Sequence, residues 1–211
     1  MRITTLLTLL FLAACGAPED LTQAPEPVGQ FRLGHNIAIA DDIQLGPFSR
    51  SLSEETIEGT VQSAVAERLR RYDGNGLYHL GMNVGGLVLA QPGIPLVYSP
   101  NSVMIVDVTV FDNRTQAKLN EEPKRFIVGE GIRKTVPIIG SGYVRSAEEQ
   151  LENVSANFAR QLEDWIADNP EWFAPVPGQV RVPFEVATPV PTEVATSDAS
   201  SAALPEVAPE G

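Results

Sequence analysis

The chain has little of several residue types on which common functions depend. Its 211 residues include one Cys and two His, which excludes an internal disulfide and argues against a Cys- or His-rich metal site. It has 15 Lys and Arg against 27 Asp and Glu, and this net charge of −12 excludes a nucleic-acid-binding protein of the usual basic kind. We therefore expect no metal, no other cofactor and no nucleic-acid partner.

An apolar stretch at the N-terminus indicates a signal peptide. Arg2 precedes residues 3–12, which are apolar apart from three Thr. The stretch is about half the roughly 20 residues that a transmembrane helix needs, so we expect residues 1–14 to be removed as a signal.

The end of this stretch resembles the bacterial lipobox, because Leu12, Ala13, Ala14 and Cys15 match its four positions. The resemblance implies that Cys15 is diacylated, that the chain is cut before it, and that its new amine is acylated. Three acyl chains would anchor the protein permanently in a membrane. Gly16, where Asp would retain a lipoprotein in the inner membrane, implies the outer membrane, and we separately expect the protein to face the periplasm. The alternative is an ordinary secretory signal beside an accidental Cys.

Composition divides the remaining chain into three parts. Residues 15–30 are rich in Pro and acidic residues, and we expect the lipidated Cys to be followed there by a flexible tether. Residues 31–174 are expected to form one folded domain. Residues 175–211 are rich in Pro, Ala, Val and Glu and are expected to be disordered, although residues 180–182 could add a short edge strand.

Two helices are predicted from capping boxes and apolar periodicity. Ser51 with Glu54 and Ser146 with Glu149 have the spacing of a capping box. Each pair is followed by an apolar stripe at helical spacing, which predicts a helix with one buried face. The stripes are Ile57, Val61, Ala64, Val65, Leu69 and Tyr72, with Gly74 as a left-handed cap, and Leu151, Val154, Phe158, Leu162, Trp165 and Ile166.

Extended segments fill the space between the helices. Strands are predicted at 36–40, at 78–89 with a bulge at its glycine pair, at 103–111, and at 118–128 with Pro123 weakening its middle; residues 136–139 are a further extended piece. The order strand, helix, strands, helix predicts an α+β two-layer sandwich, in which two helices cover a small, mostly antiparallel sheet. This arrangement behind a lipobox resembles small envelope lipoproteins, among them the lipopolysaccharide-assembly accessory and transporter-auxiliary lipoproteins. The residues of that type are 106–112, 118–119 and 153–155, and the resemblance assigns no functional residue.

Candidate catalytic groups are few. His35 and His79 could act as general bases beside a Ser or Asp, but no nucleophile motif accompanies them, and we interpret them as a loop residue and a strand residue on the less buried face of the sheet. Gly140, Ser141 and Gly142 precede the second helix and could receive an anion, although a plain loop is the stronger interpretation. Asp107 is expected on the exposed side of its strand.

A basic cluster with interspersed Glu gives the remaining candidate site. Its members are Arg114, Lys118, Lys124, Arg125, Arg133 and Lys134. One interpretation is a contact with anionic lipid or lipopolysaccharide phosphates, made by Lys124, Arg125, Arg133 and Lys134. The other is a solvated edge of the sheet that resists strand pairing.

We therefore predict a non-catalytic, lipid-anchored envelope protein that binds or scaffolds another envelope protein. The alternatives are a small envelope hydrolase that uses His35 or His79, and a lipid or lipopolysaccharide contact module.

Overall fold

A computed structural model describes residues 20–91, 101–130 and 145–185. The strands are β1 Leu33–Ile39, β2 Gln44–Leu45, β3 Tyr78–Val88, β4 Val103–Asp112, β5 Ala117–Lys118 and β6 Lys124–Gly129. The helices are α1 Glu54–Leu69 and α2 Ala147–Ala167, and a short 3₁₀ helix at Pro170–Phe173 follows α2. In the described part of the chain, no helix is both long and apolar enough to span a bilayer.

The strands form one sheet in which β3 and β4 are central. β3 pairs with β1 and β2 in parallel and with β4 antiparallel, and β4 pairs antiparallel with β6 and β5. Because β1 and β3 are parallel, α1 is the crossover between them. α1 packs on β1, α2 packs on β6 and β4, and the two helices pack on each other. The predicted two-layer α+β fold with a mostly antiparallel sheet is confirmed.

The core lies between the helices and one face of the sheet. Alternate residues of β4, from Met104 to Val110, are fully buried, as the period of a strand with one covered face requires. The predicted helical stripes are buried against them, except that Ala64 and Trp165 are only partly covered. The bulge predicted in β3 is confirmed by a register shift between Val84 and Gly86.

The predicted cap of α2 is confirmed, whereas both predicted caps of α1 are wrong. Ser146 and Glu149 form the predicted capping box of α2. In α1 the cap is Ser53, whose hydroxyl accepts from the Thr56 N–H, so the predicted Ser51 lies outside the helix. Two Ser residues precede this helix. Ser53 caps it because Ser53 directly precedes the first helical residue, Glu54. The helix ends with Arg70 as its C-cap, so the prediction of Gly74 as a left-handed cap is wrong.

The predicted strand at 118–128 is two strands, β5 and β6, separated by Pro123 and the residues before it. In this gap, the side chain of Asn120 replaces the missing partner strand: its Oδ1 accepts from the Val110 N–H at 2.8 Å and its Nδ2 donates to the Val108 carbonyl at 3.0 Å. No strand forms at 180–182, where the described backbone is irregular. The extended piece predicted at 136–139 lies outside the described residues.

A buried ionic network joins the two helices. The carboxylate of Glu163 on α2 accepts from Arg68 of α1, from Arg71 Nη2 at 2.9 Å and from the Tyr72 hydroxyl at 2.9 Å. The side chains of Glu163, Arg68 and Arg71 are only about a tenth exposed. A carboxylate at this depth requires such partners, and its contacts fix how the two helices pack.

Candidate functional site on the open face of the sheet

The face of the sheet opposite the helices, here called the open face, carries exposed apolar side chains. Ile37 and Ile39 on β1 are 54% and 47% exposed, and Ile127 on β6 is 66% exposed. They alternate with core residues along their strands, so the pleat of the strands directs them to solvent. Ile37 and Ile39 lie two positions apart on β1 and form an apolar edge of the kind that binds other molecules, whereas Ile127 lies across β3 and β4 from them.

Glycine on β3 leaves a groove between the side chains of β1 and those of β4. Gly81 pairs with Ile37 on one side and with Thr109 on the other, and it presents no side chain between them. A Cβ at Gly81 would be 3.5 Å from the Phe111 ring, an ordinary contact distance, so glycine leaves room here that the fold itself does not require. The resulting depression has a volume of about 460 Å³.

Two histidines form one end of the groove. The His35 N–H donates to His79 Nδ1 at 2.9 Å, and His79 Nε2 lies 3.0 Å from Asn113 Oδ1. Since Nδ1 accepts, His79 carries its proton on Nε2 and donates it to Asn113. The two rings stack at 5.2 Å. His79 lies on the less buried face, as predicted, but His35 belongs to β1, so its prediction as a loop residue is wrong.

A segment near the C-terminal end of the described chain covers this histidine pair. We call residues 181–185 the strap. The Phe184 ring packs edge-on against His35 at 4.8 Å and lies 6.2 Å from the His79 ring. The strap is held by the Arg32 guanidinium, which donates to the Val182 carbonyl at 2.6 Å, and by an ion pair between Arg181 and Asp73.

An ion pair forms the other end of the groove. Arg125 donates to both carboxylate oxygens of Asp107, each at 2.8 Å. Hydrogen bonding from Arg125 lowers the pKa of Asp107 below its usual value, and the same bond raises the pKa of Arg125. Asp107 therefore lies on the outward face as predicted, with its charge compensated by a cation from the neighbouring strand.

The remaining predicted site residues do not come together. Lys124 is exposed at the start of β6, whereas Arg125 is paired with Asp107 and Arg114 with Asp112. Four of the predicted features lie outside the described residues: Cys15, Arg133, Lys134 and the segment 140–142. Within the described ranges, no group of three His, Cys, Asp or Glu side chains could hold a metal ion.

The geometry of the histidines bears on the hydrolase alternative. In the described chain, neither imidazole hydrogen-bonds a carboxylate or a hydroxyl. Asp107, the carboxylate on this face, pairs across the sheet with Asn83, whereas His79 pairs with Phe111, so the two lie four strand positions apart along the sheet. At about 3.4 Å per residue, this separation exceeds hydrogen-bond reach.

Sequence reasoning did not identify the groove as a unit. His35, Ile37 and Ile39 alternate with residues that are buried, and Gly81 and Gly85 alternate with buried residues of β3. The alternation in β3 set Gly81 and Gly85 on the same side as His79, but the sequence pattern assigned His35 to a loop and no face to Ile37 and Ile39. It could not show that β1 lies beside β3, because a parallel pairing joins strands that are distant in sequence.

Comparisons with known proteins place the chain near several bacterial structures. No family model and no curated protein matches it. A candidate lipoprotein from Caulobacter crescentus matches at 15% identity and a TM-score of 0.35, over 64% of this chain and 93% of that one. A Xanthomonas campestris protein of the family DUF330 matches at 12% identity and a TM-score of 0.41, over 70% and 91%.

A minor lipoprotein from Acinetobacter baumannii also matches, at 14% identity and a TM-score of 0.28, over 63% of this chain and 93% of that one. Two of these three structures are described as lipoproteins. Similarities at this level leave the family, ligand and partner of the chain unassigned.

Proposed function

We propose that the chain is a lipid-anchored protein of the bacterial cell envelope that binds another envelope protein through its open face and catalyses no reaction. The observation that carries this proposal is the groove bordered by the exposed Ile37 and Ile39, on a sheet face that also exposes Ile127. Burying such side chains against a partner is favourable by about 25 cal/mol per Å² of apolar surface before the entropic and desolvation costs of association are subtracted.

The anchor in this proposal is Cys15. It follows the apolar stretch and the small residues Ala13 and Ala14, and it is the only Cys in the chain. Acylation there would leave the domain attached to the membrane. Gly16 favours the outer membrane, and we propose that the domain lies on its periplasmic side. A mass spectrum of the purified protein should show acyl groups on a chain that begins at Cys15, and Cys15→Ser should abolish them. An unmodified Cys15 in a membrane fraction would contradict the anchor.

The expected occupant of the groove is a protein segment with apolar or aromatic side chains. The Phe184 ring packs against the two histidines that line one end of the groove, so an aromatic side chain is already accommodated beside that end. Because Asp107 and Arg125 compensate each other, the groove has little net charge to select a charged ligand. A non-catalytic role fits His79, whose two ring nitrogens bond a backbone amide and Asn113.

Crosslinking in intact cells tests the binding face. A photoreactive amino acid replaces Ile37 or Ile127 on the open face, and the matched controls replace Ser63 on α1 or Ala156 on α2, which are exposed on the helix layer. We expect one discrete envelope protein to be trapped from both open-face positions and from neither control. Equal capture from helix and sheet positions, or a smear of unrelated neighbours, would contradict the proposal.

A further inference from the structure

The chain just after the lipobox is fixed to one end of the domain. Asp20 closes a turn by accepting from the Thr22 N–H at 3.0 Å and from Gln23 Nε2 at 3.0 Å. The Gln23 carbonyl then accepts from Arg71 Nη1 at 3.2 Å, at the end of α1. Val28 is buried against the core. The segment 20–28 is therefore attached to the domain at Gln23 and at Val28.

The following residues are held by the backbone. The Gln30 N–H donates to the Phe173 carbonyl at 2.7 Å, and the Gly74 and Gly76 N–H groups donate to the Phe31 and Gln30 carbonyls at 3.0 and 2.8 Å. Gly29, at a φ of +53°, permits the sharp turn between Val28 and Gln30. The N-terminal segment thus enters the domain beside the last residues of both helices.

The topology divides the domain into two ends. The proximal end carries the C-termini of α1 and α2, the N-terminal ends of β1 and β3 and the turn after β4. The distal end carries the N-termini of both helices, the C-terminal ends of β3 and β6, and β2. β3 has 11 residues. At about 3.3 Å per residue, it separates the two ends by about 35 Å.

Residues 16–19 are all that lie between Cys15 and Asp20. A fully extended chain spans at most about 3.6 Å per residue, so the Cα of Cys15 lies within about 18 Å of the Cα of Asp20. This reach is about half the length of the sheet. An anchor at Cys15 therefore reaches the proximal end and not the distal end.

We infer that the lipid anchor holds the proximal end of the domain against the surface of the bilayer and directs the distal end away from it. This inference rests on the proposed acylation of Cys15. The partner at the proximal end is the headgroup layer. The distal end, where both helices begin, faces the periplasmic space and its proteins. The open face then stands upright on the membrane, accessible from the side.

The inferred orientation comes from the length of chain and not from charge. Exposed side chains at the proximal end include both signs: Arg160 pairs with Asp164, Arg181 pairs with Asp73, and Arg70 is exposed at the end of α1. Such a mixed surface gives little net attraction to anionic lipid. The orientation should therefore persist at 1 M salt, where the Debye length is about 3 Å.

Energy transfer to headgroup-labelled lipid tests the orientation in the acylated full chain, reconstituted in phosphatidylethanolamine–phosphatidylglycerol vesicles. Arg70→Cys and Glu55→Cys place a donor dye at the two ends of α1, about 22 Å apart along the helix axis. Acylation occupies the thiol of Cys15, so each introduced Cys is the only free thiol. We expect severalfold more efficient transfer at position 70 than at position 55, unchanged at high salt.

A lengthened linker is the matched control. About 20 Gly and Ser residues inserted after Gly16 add roughly 25 Å of root-mean-square reach, so the difference between the two positions should largely vanish. Equal transfer in the natural chain, or more transfer at position 55, would overturn the orientation while acylation stands. A mass spectrum without acyl groups on the same samples would overturn the anchor itself, and the orientation with it.

Discussion

The two faces of the sheet differ in how far their side chains are buried. On the helix side, β4 contributes Met104, Val106, Val108 and Val110, all fully buried, and the helices above are joined by the Glu163 network. On the open side, the same strands present half-exposed residues, a glycine groove and one compensated ion pair. One sheet therefore carries a face that stabilises the fold and a face that the fold leaves available.

This difference predicts where substitutions act. Changes on the helix side should lower the free energy of unfolding, because they create cavities or disrupt buried polar groups. Changes on the open face should leave the free energy of unfolding nearly unchanged and alter binding. A large loss of stability from an open-face substitution would contradict this division.

The largest effect is expected from Glu163→Ala. The substitution removes the carboxylate to which Arg68, Arg71 and Tyr72 donate in a nearly dry contact between the helices. Breaking a buried ionic network in this way costs about 3–5 kcal/mol. Urea denaturation followed by circular dichroism measures the change. Glu163→Gln keeps the shape and one acceptor, and its loss should be smaller; a loss below about 1 kcal/mol for the Ala variant would contradict the role of the network.

The second prediction compares neighbours on β6. Val128 is fully buried and Ile127 is 66% exposed. Val128→Ala should cost about 2 kcal/mol, at roughly 0.8 kcal/mol per buried carbon group plus a cavity term. Ile127→Ala removes more atoms but should stay within about 0.5 kcal/mol, because those atoms already contact water. Comparable losses in urea titrations of the two variants would show that the open face is covered in solution.

The fold was largely predictable because each element has a strong local signal. The stripes of α1 and α2 and the alternation of β4 fixed the identity and the buried face of those elements. The errors lie where two local signals compete or where a distant residue intervenes. Ser51 and Ser53 both fit the start of α1, and the gap between β5 and β6 depends on the side chain of Asn120.

The candidate site was predictable only residue by residue. Alternation placed His79 and Asp107 on the outward face. The contacts of the site join residues far apart in sequence: His35 with His79, Asp107 with Arg125, and Phe184 with both histidines. Pairings of this range depend on tertiary packing, which no local pattern encodes.

The third prediction concerns the strap. Phe184→Ala should change stability by less than about 1 kcal/mol, because the ring covers an exposed site and not the core. It should nevertheless shift the imidazole proton resonances of both histidines, since the ring lies 4.8 Å from His35 and 6.2 Å from His79. The chain has two His, so these resonances are readily assigned. Crosslinking from Ile37 should increase if the ring competes with the partner.

The matched control for this experiment is Val180→Ala, which changes an exposed side chain just before the strap. It should leave the imidazole resonances and the crosslinking unchanged. Unchanged resonances in Phe184→Ala would show that the strap does not rest on the histidines in solution.

The smallest effect is expected from the ion pair on the open face. Hydrogen bonding from Arg125 lowers the pKa of Asp107, so the stability that this pair contributes is fully present above the ordinary Asp pKa of about 3.9 and is lost as the pH falls through the lowered pKa. Arg125→Ala should therefore have a slightly lower Tm than the natural chain at pH 6, and the difference should narrow below about pH 4 and close once the pH is below the lowered pKa. Lys124→Ala, which removes the neighbouring cation on β6, should not reproduce this pH dependence. A difference that persists at pH 2 would mean that Arg125 stabilises the sheet through packing of its side chain and not through Asp107.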